Sequence, residues 1–345
     1  MPPRKPPPSQ EKSKRKPAKK ENRHDEQGLS SPIPNELQQL ILDVFRNAFA
    51  TRLEHDIRPL LQEVKGHLYN RDFLRAFGRK DYLEAYAARW SPSRALGYLQ
   101  LLLQLDDVRN VLQRSGGISG KVVCLGGGAG AEIAAFGGLV SFCNQADASG
   151  NNSQNLEVVA VDIADWSEIA AELHRAITTT PPLSKYASAA SQAANAPLVD
   201  PGVFNVTFEQ HDVLKADFSC LAGILRDASL VTIMFTLNEL YSASISLTQK
   251  FLLNLTACLP ENALLLVVDS PGSYSTISLN GTEKKYPMQW LLDHTLLDQG
   301  AKSSIPSWTK LNEDESRWFR LDNHLRYPIE LENMRMQLHL YRRNS

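Results

Sequence analysis

The sequence predicts an α/β fold: a parallel sheet covered on both faces, ending in an antiparallel strand pair and preceded by a helical N-terminal region. Three observations predict it. From Val122 onward, short apolar segments alternate with helix-compatible stretches. The stretch KVVCLGGGAGAE, residues 121–132, passes from an apolar strand through alternating glycines into a helix, which brings bare backbone and a helix N-terminus to one point. Near the end of the chain, two late strand candidates are joined by a connection too irregular for a crossover helix, as in an antiparallel edge pair.

The elements follow in order. Residues 1–24 hold nine Lys/Arg against Glu11 and Glu21, a net of +7; the whole chain is −1, so the rest carries −8. This Pro- and Lys-rich run has no apolar periodicity and reads as a disordered basic tail over residues 1–30, suited to nuclear entry or phosphate contact. Residues 31–118 read as helical. Leu37, Leu40, Ile41, Val44 and Phe45 share one helix face, and Leu53, Ile57, Leu60, Leu61 and Val64 another. Phe73, Leu74 and Phe77 follow, then Tyr82, Tyr86 and Trp90. Ser91-Pro92 reads as a helix start, a Ser cap with Pro at the first position. Residues 119–345 hold the α/β domain, with strands expected at 122–125, 158–161, 206–210, 230–235 and 264–268, then the late pair at 318–322 and 334–341. Two inserts interrupt it: the polar loop NQADASGNNSQN at 144–155, and the Ala/Ser/Pro-rich, mobile stretch 178–201.

Composition excludes several classes. There is no secretory pattern at the start, and no apolar run approaches membrane-span length. Cys124, Cys143, Cys220 and Cys258 are scattered, with no C-x-x-C pair and no His at zinc-ligand spacing. A reducing intracellular compartment without structural metal is expected.

The glycine spacing admits two nucleotide ligands. Gly126-x-Gly128-x-Gly130 is the S-adenosylmethionine (SAM) loop pattern, and Gly126-x-Gly128-x-x-Ala131 fits the dinucleotide fingerprint. The terminal antiparallel pair decides for a SAM-dependent methyltransferase (Rossmann-like) fold over an NAD(P)-dependent oxidoreductase. Asp162, at the tip of the second strand, suits the ribose hydroxyls, since an ionised carboxylate only accepts. Asp212, after the third strand, suits the adenine amine, with His211 beside it as a positioned side chain. Asn238 and Glu239 stand at the end of the fourth strand, where cofactor and substrate meet; Asp269 holds the equivalent place one strand over. Many methyltransferases carry an acid at the position of Cys124 to bind the methionine ammonium. Here that group must come from elsewhere, and Glu132, past the loop, does not obviously substitute.

Four segments carry a family resemblance: RWSPSRALGY (89–98), VVCLGGGAGAE (122–132), VVAVDIADW (158–166) and VTIMFTLNELY (231–241). With these, residues 35–345 resemble the fungal large-subunit (25S) rRNA uridine-N3 methyltransferases. The resemblance implies SAM as donor, uridine N3 as acceptor, and ribosomal RNA or the pre-ribosomal large subunit as partner. The basic tail admits nuclear entry, so residence in the nucleus, nucleolus included, and the cytoplasm is expected. In that setting Glu239 is expected to take the N3 proton, Asn238 to bond a uracil carbonyl or the amino-acid part of SAM, and Tyr241 or Trp90 to stack on the base. Phosphates would meet the tail, the cluster Arg71, Arg75, Arg79 and Lys80, or Arg317 and Arg320 with Arg342 and Arg343. A methyltransferase for a protein or small molecule would share every SAM motif, and a non-catalytic SAM-fold assembly factor would share the fold.

Overall fold

Apolar residues along the central strands alternate between two hydrophobic layers, and that alternation builds the molecule. In β1 (Gly117–Leu125), Val122 and Cys124 enter one buried cluster while Val123 and Leu125 enter the other. The same split runs through β2 (Asn155–Asp162), β4 (Ala228–Met234) and β5 (Leu264–Asp269). A strand covered on both sides needs apolar residues at every position, so these segments read as unbroken runs. The computed structural model describes residues 32–114, 117–146, 155–183, 185–272, 274–279, 282–297 and 306–345. The expected basic tail and most of the 144–155 insert lie outside the described residues.

With β3 (Phe204–Gln210), β6 (Trp308–Phe319) and β7 (Met334–Arg343), the strand order is β3-β2-β1-β4-β5-β7-β6. β3 through β5 pair in parallel, with Val122 opposite Val158 and Leu230. β7 pairs antiparallel with both β5 and β6, Leu338 lying opposite Val268. The antiparallel terminal pair expected from the sequence is present. Its edge strand is not where the sequence put it: β6 starts at Trp308, ten residues before the expected 318. Its run WTKLNEDESRWF is mostly polar because only one side of an edge strand meets the core; Trp308 anchors it by donating from Nε1 to Thr256 Oγ1 at 2.9 Å.

The helical region covers one layer. It contains α1 (Asn35–Ala48), α2 (Arg58–Tyr69), α3 (Lys80–Gln104) and α4 (Asp106–Leu112). These pack with α5 (Ala131–Ala146) and α6 (Ser167–Thr178) on the Val122–Cys124 side. The opposite layer holds α7 (Phe218–Leu225), α8 (Leu237–Ala243), α9 (Ile245–Cys258) and α10 (Met288–Leu297). Two residues given to apolar faces point outward instead, Leu40 and Leu74, the latter 87% exposed. Within the 178–201 insert, Ala189–Ala193 is helical and Asn195 Nδ2 donates to the Pro181 carbonyl at 2.8 Å.

Ser91-Pro92 does not start a helix; α3 runs straight through it. Proline at 92 has no N–H for the Ala88 carbonyl one turn earlier. Tyr327, in the irregular connection between β6 and β7, donates its hydroxyl to that carbonyl at 2.8 Å. A tertiary bond thus replaces the helical one. Ser91 is not a cap either: its Oγ donates to the carbonyl of Ala129, inside the glycine loop, at 2.7 Å.

Candidate functional site

The C-terminal ends of the parallel strands open into a cleft of about 800 Å³. Gly126, Asp162, Asp212, Asn238, Glu239 and Asp269 all line it. This is where an open α/β sheet presents polar groups to a ligand. Gly128 and Gly130 do not line it; they shape the loop from behind. At Gly126, φ is +80° and a Cβ would lie 2.1 Å from Thr236 Oγ1. A Cβ on Gly128 would lie 2.2 Å from the Trp166 ring. Any side chain at either position would push the loop away from the strand ends.

Asp162 accepts from the Gly128 N–H and the Ala164 N–H, each at 3.2 Å. Burial lifts its carboxyl above the usual range, and those N–H groups pull it back. Asp212 accepts from Leu214 N at 3.1 Å and pairs with Lys215 at 3.0 Å. His211 lines the cleft with its ring 3.5 Å from Cys220 Sγ. Asp269 is pushed up to about 6 by burial, against hydrogen bonds from the Asn238 and Ser270 N–H groups. The Asn238 side chain keeps its Oδ1 without a hydrogen-bond partner among the described residues. Glu239 faces Arg71 across the mouth of the cleft, Oε2 to Nη1 at 3.6 Å. Arg71 has φ of 55°, a left-handed conformation uncommon for a residue with a side chain.

Some expectations fail here. Tyr241 is 1% exposed, packed in the α9–α10 layer, and burial raises its hydroxyl well above the ordinary range. It has no face left for a base. Trp90 packs against Tyr86 at 4.8 Å between ring centroids and does not line the cleft. Cys124, by contrast, is the buried thiol its apolar stretch implies: it lies inside β1, its thiol pushed up by burial, and it does not line the cleft.

Other residues join the cleft, Arg94, Tyr98, Phe235 and Tyr69 without having been singled out in the sequence. Arg94 projects from α3 into the cleft beside Tyr98 and Phe235, and Glu132 reaches it from the first turn of α5. Tyr69, Phe73 and Phe77 supply an aromatic wall from the helical region. The segment RWSPSRALGY held the signal for Arg94, but only the packing of α3 across the strand ends shows where it points.

A model of the family described as "Putative SAM-dependent methyltransferase" matches residues 45–342. The chain belongs to this family of SAM-dependent methyltransferases. This methyltransferase is 32% identical over 327 residues to the 25S rRNA (uridine(2843)-N(3))-methyltransferase of Saccharomyces cerevisiae, covering 89% of this chain and 86% of the relative. Solved structures similar to it include the N-methyltransferase NodS from Bradyrhizobium japonicum in complex with S-adenosyl-l-homocysteine (12% identity, 83% of this chain, 99% of that one, TM-score 0.35). A SAM-dependent methyltransferase from Methanosarcina mazei is 11% identical over 69% of this chain and 96% of its own, with TM-score 0.34.

The methyltransferase cleft fits SAM on its own residues. A loop held free of side chains by Gly126 and Gly128 admits a close ligand backbone contact. Asp162 presents a carboxylate beside it, and the cleft volume lies within the range for cofactor sites.

Proposed function

We propose that this methyltransferase modifies N3 of a uridine in large-subunit (25S) ribosomal RNA. The observation that carries the reading is the yeast relative of that named activity, to which the chain is similar along nearly the whole of both chains. The chemistry of the cleft supports it. SAM, when bound, supplies an activated methyl group. Uridine N3 is a weakly acidic imide, and its lone pair becomes available only as its proton leaves. Glu239 accepts that proton, directly or through water, after the incoming base displaces Arg71. Asn238 donates its amide to a uracil carbonyl and so stabilises the charge that develops. Gly126, Asp162 and Asp212 hold the nucleoside of the cofactor; Gly128 and Gly130 keep the loop in shape.

N3 lies on the pairing edge, so the base must be unpaired or flipped to enter. Tyr69, 90% exposed at the rim, and Phe73 take the stacking role that Tyr241 and Trp90 cannot. In this reading residues 31–118 form the substrate-facing cover of the domain at 119–345. The basic cluster at 71–80 is a weak phosphate site, because Arg71, Arg75, Arg79 and Lys80 pair with Glu239, Asp72, Asp81 and Glu168. Likewise Arg317 pairs with Asp314 and Arg342 with Asp107. Arg320 is different: it lies with Arg335 against the half-exposed ring of Trp318, at 5.0 and 5.8 Å. That cluster offers stacking and charge together. Action on ribosomal RNA or a pre-ribosomal large subunit goes with residence in the nucleus, nucleolus included, or the cytoplasm.

The test uses labelled SAM with ribosomal RNA and pre-ribosomal particles from a strain lacking the gene, digested to nucleosides. Label in 3-methyluridine is expected; label on another nucleoside, or none, rejects the acceptor. Glu239→Gln is expected to lower turnover by about 10²–10⁴-fold with SAM affinity unchanged. Full turnover in that variant would remove Glu239 as the base.

A further inference from the structure

We infer that Glu132 and Arg94 form the site for the amino-acid end of the cofactor, Glu132 holding the α-ammonium and Arg94 the α-carboxylate. The inference rests on the family's cofactor and is independent of the RNA acceptor. It answers the absence of an acid at Cys124: the carboxylate has moved past the loop, to the first turn of α5.

Glu132 is 4% exposed, lines the cleft, and its Oε1 accepts no hydrogen bond from the described residues. A buried carboxyl oxygen without a partner is costly, and native proteins keep few. The other buried acids of the cleft are already engaged. Asp162 accepts from Gly128 and Ala164, and Asp269 from Asn238 and Ser270. Glu239 Oε2 also accepts no hydrogen bond, but it lies on a side chain 40% exposed and 3.6 Å from Arg71 Nη1. Among the described residues Glu132 is therefore the fully enclosed acid of the cleft with an oxygen to offer a cation, and its place at a helix N-terminus favours the ionised form once a cation arrives.

Arg94 is built to stay still. Its Nη1 donates to Tyr86 Oη at 2.8 Å, and its guanidinium lies 5.1 Å from the Phe235 ring centroid and 5.7 Å from that of Tyr86. A guanidinium fixed in this way presents its remaining N–H groups as a fork, the geometry that matches a carboxylate. Three residues earlier on α3, Ser91 Oγ donates to the Ala129 carbonyl. That bond ties the helix carrying Arg94 to the loop leading into Glu132, so the protein sets the spacing of the two charges. An anion site and a cation site that line one cleft, with no ion pair between them among the described residues, match a zwitterion with both groups on one carbon.

Calorimetry of the full chain with S-adenosylhomocysteine and with 5′-methylthioadenosine, which lacks the amino-acid end, tests the assignment. Glu132→Gln and Arg94→Gln are each expected to weaken S-adenosylhomocysteine by about tenfold or more, the size of one lost charged hydrogen bond. Methylthioadenosine binding should be unchanged in both, which also reports that the variants fold. Should Arg94→Gln fail to fold, the nearly isosteric Glu132→Gln decides alone. Unchanged S-adenosylhomocysteine affinity overturns the inference. So does an equal loss of both ligands, or a wild type that does not distinguish them. The acceptor is judged separately, by the nucleoside that the wild-type protein labels.

Discussion

Burial pushes the Glu132 carboxyl up to about 8, with its own N–H and the charge of Arg94 pulling it down and Asp162 adding to the rise. In the unfolded chain the same group sits near its ordinary value of about 4.3. Between these values the folded state holds a proton that the unfolded state has released. Stability therefore falls as pH rises through that window, and the loss is complete above the folded value. Glu132→Gln cannot ionise, so it should melt above the wild type near pH 8 and match it near about pH 5. Melting temperatures across that range check this; a difference that does not change with pH would count against it. The residue thus trades stability for binding of a ligand. Legibility in the sequence divides along the same line. The placement of Asp162, Asp212, Asn238 and Glu239 at the cleft was readable because strand ends face the crevice whatever else the chain does. Arg94 and the free lone pair of Glu132 were not, because a helical residue's role depends on what its helix crosses. Tyr241 misled for a related reason: an aromatic two residues past a catalytic candidate falls on the opposite side of a helix.

Among the elements, α3 shows most clearly how distant sequence completes a local structure. Its interior proline removes one rung of the helical ladder, and Tyr327 supplies the missing donor to the Ala88 carbonyl. In the same connection Glu332 pairs with the buried guanidinium of Arg89, and the Arg326 N–H donates to Gln39 Oε1 at 2.9 Å. The segment too irregular for a crossover helix is thus the strap that joins the terminal strands to the helical layer. Tyr327→Phe should cost about 1–2 kcal/mol by leaving a buried carbonyl unsatisfied. In a Pro92→Ala background the restored N–H takes that carbonyl, so the same substitution should cost much less. Chemical denaturation of the four proteins gives the coupling directly, and additive effects would show that the Tyr327 hydroxyl does not stand in for the missing N–H. The buried parallel strands were legible because burial on two faces leaves only apolar residues. The edge strand β6 was not, since charges at Lys310, Glu313, Asp314 and Glu315 hide its alternation. Ser91-Pro92 was misread as a helix start because local propensity yielded to a tertiary hydrogen bond.

For the whole molecule, the governing quantity is the division of charge. Residues 25–345 carry −8 and residues 1–24 carry +7. A body of that charge repels a polyanion, and most of its arginine clusters are paired with carboxylates of their own. On the proposed acceptor, the attraction must therefore come largely from the basic tail, with Trp318, Arg320 and Arg335 as the RNA-binding patch on the body. Removing residues 1–24 should weaken RNA binding and flatten its dependence on salt, by about 0.7–0.9 in the log–log slope for each phosphate that the tail neutralises. S-adenosylhomocysteine affinity should not change, because the cleft is lined by residues from Leu68 to Ser270. Binding measured from low to moderate salt, with and without the tail, separates the two sources of attraction. A slope unchanged by the truncation would move the RNA site to the body, where Trp318→Ala should then abolish more of the binding than removal of the tail. A shallower slope with an unaltered cofactor site would mean that one part of the chain attracts the RNA and another performs the transfer.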